Sequence, residues 1–186
     1  MKTVVLTGTP NTSGHTMEII KLFEKNLPGE MIIYNAYNLN IKPCIDCKYC
    51  FKHDECALND DMQKVIDDLK DADNVIVASP MYFGMLSGPL LTLVSRLQFS
   101  FGWEWVQKKE NPFEKKNGIL VMTSGKAWLN MFNPCEACAN IIFRNLNAKF
   151  IDKVYATKTD VISVKDNKDV KQSVKEISER LIKINQ

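Results

Sequence analysis

Four of the chain's six cysteines fall in one short stretch, Cys44-x-x-Cys47-x-x-Cys50 followed by Cys56. Four thiols this close in sequence are a donor set for a [4Fe–4S] cluster or for a tetrahedral zinc, and spacing does not separate the two. Thiols that stay free are the third reading. Asp46 stands inside the run, and an acidic neighbour disfavours a centre that is already anionic. Cys135 and Cys138 share a helical face if Pro134 opens a helix; a labile disulfide or a share in a metal site is open to them, and buried free thiols are the commoner explanation. His53, beside Asp54 and Glu55, reads as a surface residue rather than a ligand.

A second stretch suits a different chemistry. Val4-Val5-Leu6 reads as a buried strand, and Met17, Ile20, Phe23 and Leu27 repeat at helical spacing. Between them Thr7 to Thr16 form a turn of small and hydroxylated residues. A strand, such a turn and a helix start bring unpaired backbone N–H groups and the positive end of a helix dipole to one point, which suits a phosphate. Thr9, Asn11, Ser13, His15 and Thr16 add side-chain donors without a fixed charge. The turn has no Lys beside Ser or Thr, as a Walker loop requires, and Gly8 and Gly14 alone do not make a dinucleotide fingerprint. A monophosphate loop remains.

The rest of the chain supplies the scaffold. After Pro28-Gly29, Glu30 to Tyr34 reads as a second strand. Asn35 to Asn59 has no clean period, so the cysteine-rich loop 43–58 is an insertion after that strand. Asp60-Asp61-Met62-Gln63 has the form of a capping box and starts a helix with Met62, Val65, Ile66 and Leu69 on one face. Val75 to Ala78 suits a central parallel strand. Gly88-Pro89 opens a helix bearing Leu90, Leu93, Val94 and Leu97, with Arg96 expected to ion-pair on its surface. Phe99, Phe101, Trp103 and Trp105 are core, a dimer contact or a cover for a bound ligand. Ile119 to Met122 and Phe150 to Ala156 are further strands around a helix at about 134–147. Val170, Val174, Ile177, Leu181 and Ile184 lay one apolar stripe on the last helix.

Alternating strands and helices predict a parallel sheet covered on both faces, in one domain over residues 1–186. Ligands of such sheets bind beyond the carboxyl ends of the strands. Three loops meet there, 9–16, 79–84 and 123–126, all rich in Ser, Thr, Gly and Pro rather than in charge. A net charge of +2 without a basic cluster argues against dedicated nucleic-acid binding, and no apolar run approaches a membrane span. Met1-Lys2-Thr3-Val4 lacks the pattern of a signal peptide, so the expected location is cytoplasmic, where structural disulfides are rare.

With these loops placed, the chain resembles the NAD(P)H-dependent FMN reductase branch of the flavodoxin-like superfamily, most closely from Gly8 to Thr16 and from Cys44 to Arg96. The stretch SPMYFGMLSGPL, starting at Ser79, is similar to the loop that in this family lines the isoalloxazine ring. The order Cys44, Cys47, Cys50, Cys56, then Asp60-Asp61-Met62, is similar to that of the iron–sulfur flavoproteins. The resemblance implies an α/β, flavodoxin-like three-layer sandwich with a five-stranded parallel sheet in the order 2-1-3-4-5. It implies FMN, with its phosphate on Thr9, Pro10, Asn11, Ser13, His15 and Thr16. Its ring would be flanked by Ser79, Pro80, Met81, Tyr82, Phe83 and Gly84, with Thr123, Ser124 and Gly125 on the third side. NAD(P)H would be the co-substrate, and hydride transfer to a flavin needs no general acid or base.

The electrons would pass to a small-molecule or protein acceptor. The alternative is an iron–sulfur flavoprotein carrier with a [4Fe–4S] cluster on Cys44, Cys47, Cys50 and Cys56, fed by a ferredoxin-type protein. A binding protein that kept the fold and lost the cofactor is a third reading. Subunits are expected to pair as a homodimer or higher homo-oligomer, with the aromatic segment 99–105 near the interface and close to the flavin.

Overall fold

The computed structural model describes Met1–Gln186. Five strands, β1 (Lys2–Thr7), β2 (Glu30–Asn35), β3 (Asn74–Pro80), β4 (Lys116–Thr123) and β5 (Ala148–Ala156), pair in parallel in the order β2-β1-β3-β4-β5. The helices are α1 (His15–Asn26), α2 (Met62–Lys70), α3 (Gly88–Ser95), α4 (Gln98–Phe101), α5 (Asn133–Asn145) and α6 (Lys168–Ile184). A 3₁₀ turn at Tyr49–Phe51 interrupts the long segment between β2 and α2, and a π-helical turn, Gly102–Val106, continues α4. No helix is long and apolar enough to cross a membrane.

The strands are apolar on both sides because both sides are covered. Val4, Leu6, Val75, Val77, Leu120 and Met122 face α2, α3 and α5 in one core. The alternate residues Val5, Ile76, Ala78, Ile119, Val121 and Val154 face α1 and α6 in the other. Each fully buried aliphatic side chain of this kind stabilises by about 1.5–3 kcal/mol. The stripe on α6 is buried from Val170 to Leu181, whereas Ile184, at the helix end, is exposed.

Two expectations fail at α2 and α3. The capping box does not form: Asp61, the N-cap, makes no side-chain cap, and Gln63 turns its amide to Asp67. Asp60 Oδ1 instead accepts from the Met62 N–H at 3.1 Å, while Oδ2 binds Arg96. Arg96 is not on the surface at all but only 2% exposed, among the largest fully buried side chains. A buried guanidinium needs an anion, and Asp60 is the one recruited.

The aromatic segment lies toward the amino ends of β4 and β5, where Glu104 shares a surface pocket with Lys116, Asn117 and Ala148. Phe99 is buried edge-on against Phe113, while Phe101 and Trp105 are stacked and exposed. The Arg144 guanidinium, in the last turn of α5, lies 4.8 Å over the Trp105 ring. A Cβ at Gly102 would meet the Cys50 carbonyl oxygen at 2.7 Å, so this segment packs on the cysteine loop. α3 separates this segment from the loops at the carboxyl ends of the strands, and from Gly88 to Ser95 it spans roughly 11 Å at about 1.5 Å per residue.

Candidate functional site

The loops after β1, β3 and β4 meet at the carboxyl edge of the sheet, where the strand order reverses between β1 and β3. They line an open cleft of about 270 Å³ with Thr9, Pro10, Asn11, Gly14, His15, Thr16, Pro80, Met81, Tyr82, Thr123, Ser124 and Gly125. Its floor is fixed by a buried pair of hydroxyls, Thr16 Oγ1 and Thr123 Oγ1, 2.8 Å apart, which ties α1 to β4. Asn35, at the end of β2, donates to the Thr9 carbonyl at 2.8 Å and sets the start of the turn.

The turn itself is shaped by Asn11. Its Oδ1 accepts from both the N–H and the hydroxyl of Ser13, each at 3.0 Å, so Ser13 builds the loop and does not line the cleft. Gly14 is the N-cap of α1 and supplies no capping oxygen. The first-turn N–H groups of α1 therefore open onto the cleft without a side-chain partner, as an anion site requires. No Lys or Arg lines the cleft, so its positive potential comes from backbone dipoles and hydroxyls.

The second loop is held from behind. Ser79 is buried: its hydroxyl accepts from the Ser87 N–H at 3.0 Å and donates to the Pro80 carbonyl at 2.7 Å. Tyr82 and Met85 exchange two backbone hydrogen bonds around Phe83 and Gly84, both with positive φ (49° and 77°), which is a type I′ turn. The Cys135 thiol donates to the Gly84 carbonyl at 3.3 Å. Burial, then the neighbouring Cys138 and Glu136, push that thiol up to about 11, so it remains a donor. Ser79, Phe83 and Gly84 thus stand outside the cleft wall, and Phe83 projects fully into solvent.

One lining residue escaped the sequence reading. Thr159, in the loop after β5, closes the cleft and donates its N–H to the Ser124 carbonyl at 3.1 Å. Thr157 and Thr159 follow the last strand with the same hydroxyl chemistry as the other three loops, which was the available signal.

The cysteine loop occupies a different place. Cys44, Cys47, Cys50 and Cys56 line one apolar pocket with Ile45, Leu58 and Phe99, and all are free thiols. Burial, then the thiols of Cys56, Cys44 and Cys47, push the Cys50 thiol up. No three ligating side chains stand close enough to hold one metal ion. Four thiols lining one pocket are a donor set that either a cluster or a tetrahedral ion would use. The loop docks on the far half of α3, where the Cys44 N–H donates to Ser95 Oγ at 3.0 Å. Asp46 is exposed and its charge is met by Lys48. His53 stacks on Tyr49 at 3.9 Å. Cys135 and Cys138 are both free and on α5.

Known proteins match this arrangement at two levels. The chain is 32% identical over 101 residues to an iron–sulfur flavoprotein of Methanocaldococcus jannaschii, covering 52% of this chain and 51% of that one. An iron–sulfur flavoprotein of Archaeoglobus fulgidus is 33% identical over 98 residues, covering 52% and 48%. The matches thus span about half the length of these relatives. An FMN-dependent NADH-azoreductase from Bacillus anthracis, solved in complex with FMN, superposes with a TM-score of 0.71 over 97% of this chain and 99% of that one. At 15% identity that likeness speaks for the fold alone. Residues 1–162 match the NADPH-dependent FMN reductase family, and the chain belongs to that family.

Proposed function

We propose that the cleft binds FMN and that the protein is an FMN-dependent oxidoreductase taking hydride from NAD(P)H and handing electrons to a small-molecule acceptor. The observation that carries this reading is the convergence of loops 9–16, 80–82 and 123–125 on one neutral, donor-lined cleft at the switch point of the sheet. FMN, when bound, supplies the hydride and electron chemistry. Thr9, Asn11, His15, Thr16 and the first-turn N–H groups of α1 would hold its phosphate. Pro80, Met81 and Tyr82 would border the ring on one side, with Thr123, Ser124, Gly125 and Thr159 on the other. Ser79 and Cys135 position the 80–85 loop, and Ser13 shapes the phosphate turn through Asn11. No residue of the cleft is assigned as a general acid or base. Residues 1–186 would act as one FMN-binding unit.

Titration with FMN tests the reading. Binding at a hundredfold excess over Kd stabilises the fold by about 2.7 kcal/mol, which a melting curve resolves. If saturating FMN leaves both Tm and flavin fluorescence unchanged, the reading is wrong. Oxidation of NADH and of NADPH by the FMN-loaded protein then tests the donor.

A second reading is an iron–sulfur flavoprotein electron carrier with a cluster on Cys44, Cys47, Cys50 and Cys56, fed by a ferredoxin-type protein. The shared pocket of the four cysteines favours it, as do the names of the M. jannaschii and A. fulgidus relatives. Iron analysis after anaerobic purification, with NAD(P)H oxidation measured in parallel, separates it from the first. The exposed Phe101–Trp105 stack supports pairing of subunits, which sedimentation at micromolar concentration tests.

A further inference from the structure

We propose that Arg96 is the positioning residue of the cysteine centre. This rests on the second reading above, in which the four thiols hold an iron–sulfur cluster. Arg96 leaves α3 at its C-terminal end and enters the base of the cysteine loop, where it is 2% exposed. Nη1 donates to the Lys42 carbonyl at 3.0 Å and to Asp60 Oδ2 at 2.6 Å. Nη2 donates to the Leu58 carbonyl at 3.0 Å and to Cys56 Sγ at 3.3 Å. Lys42 and Leu58 stand just outside the first and last of the four cysteines. One planar side chain therefore fastens both stems of the loop and touches one of its sulfurs.

Three features separate this from an ordinary buried ion pair. Asp60 Oδ2 also accepts from the Lys42 N–H at 3.1 Å, so guanidinium and carboxylate grip the same stem together. The neighbouring Ser95 fixes Cys44, so consecutive residues of α3 hold the first and the last cysteine. The N–H bond to Cys56 is the contact a thiolate-held cluster uses to set its reduction potential. A cluster gains negative charge on reduction, so an N–H donor to one of its ligands favours the reduced form, the guanidinium's own charge being largely offset by Asp60. A lysine could keep the charge but not the planar fork that reaches Lys42, Leu58 and Cys56 at once.

The test is anaerobic reconstitution with iron and sulfide, followed by iron counting and a potentiometric titration, on wild type, Arg96→Gln and Arg96→Lys. Support is iron uptake by wild type with a reduction equilibrium at least tenfold less favourable in Arg96→Gln, a fall of 59 mV or more for one electron. Arg96→Lys should fall between the two. An Arg96→Gln potential equal to wild type overturns the proposal, as does wild-type protein that takes up no iron. If Arg96→Gln does not fold, Arg96→Lys decides: an unchanged potential overturns the proposal and a lowered one supports it. The FMN-induced rise in Tm is followed in every sample. Its absence would sink the flavin reading while leaving the iron and potential measurements to judge Arg96.

Discussion

Arg96 and Asp60 form an ion pair inside the protein, Nη1 2.6 Å from Oδ2, with side chains 1% and 6% exposed. Burial by itself pushes the Asp60 carboxyl up. Hydrogen bonds from Arg96 and from the Lys42 and Met62 N–H groups outweigh that and hold it below the usual carboxylate range. A carboxyl whose folded pKa lies below its unfolded one contributes stability above the unfolded value, about 3.9, and loses it as pH falls through the folded value. Asp60→Asn leaves the guanidinium buried without its anion and should destabilise by about 3–5 kcal/mol at neutral pH. Denaturant titrations from pH 7 down to 2 should give the wild type an acid-labile component that the variant lacks.

Lys116 predicts a slope of the same sign at the other end of the pH range. Its ammonium is buried, bonded to the Glu114 carbonyl and lying over the Phe113 ring, and burial lowers its pKa to about 8. Between pH 8 and 10.5 the unfolded chain holds the proton that the folded chain has released, so stability rises with pH across that window. Lys116→Met removes the cost of burying the charge and should stabilise at pH 7, by on the order of 3 kcal/mol at most. The difference in unfolding free energy between the two proteins should shrink from pH 7 to pH 10.5. A constant difference would count against this account.

Phe83 carries local strain. A bulky residue in the left-handed region costs roughly 1–2 kcal/mol, and this one packs against nothing that would offset it. Phe83→Asn should therefore raise stability by about 1 kcal/mol, read as a shift in denaturant midpoint at constant m. A lower midpoint would mean that the ring makes contacts that offset the strain.

Gly8 is where the turn after β1 touches the start of α3. A Cβ there would come within 2.0 Å of Ser87 Oγ and 2.6 Å of Leu90 Cβ, so Gly8→Ala must separate β1 from α3. The expected cost is about 1–3 kcal/mol of stability. FMN affinity should fall with it, because both loops of the cleft hang on that contact. Gly88→Ala, which meets nothing within 4 Å, is the control and should change neither.

The sequence by itself determined the sheet and the loops of the cleft. Apolar runs in β1, β3 and β4, and the spacing along α1, α2 and α6, are local signals of period and length. The flavodoxin-like resemblance added the strand order 2-1-3-4-5, which the sheet has. Hydroxyl-rich turns at the strand ends were equally legible, since the topology carries all of them to one edge. Tertiary structure decided what spacing cannot encode. Arg96 is buried because the cysteine loop folds back over α3, a contact between residues more than thirty positions apart. Asp60 divides its carboxylate between the start of α2 and the buried Arg96, while Gln63 turns to Asp67, so the reciprocal capping box does not form. Phe83 left the cleft because its turn closes as type I′, with Gly84 held from behind by a thiol on α5. Thr159 entered the cleft only because β5 ends beside β4. Each outcome depends on which surfaces meet, and that is settled by packing rather than by the order of residues along any one element.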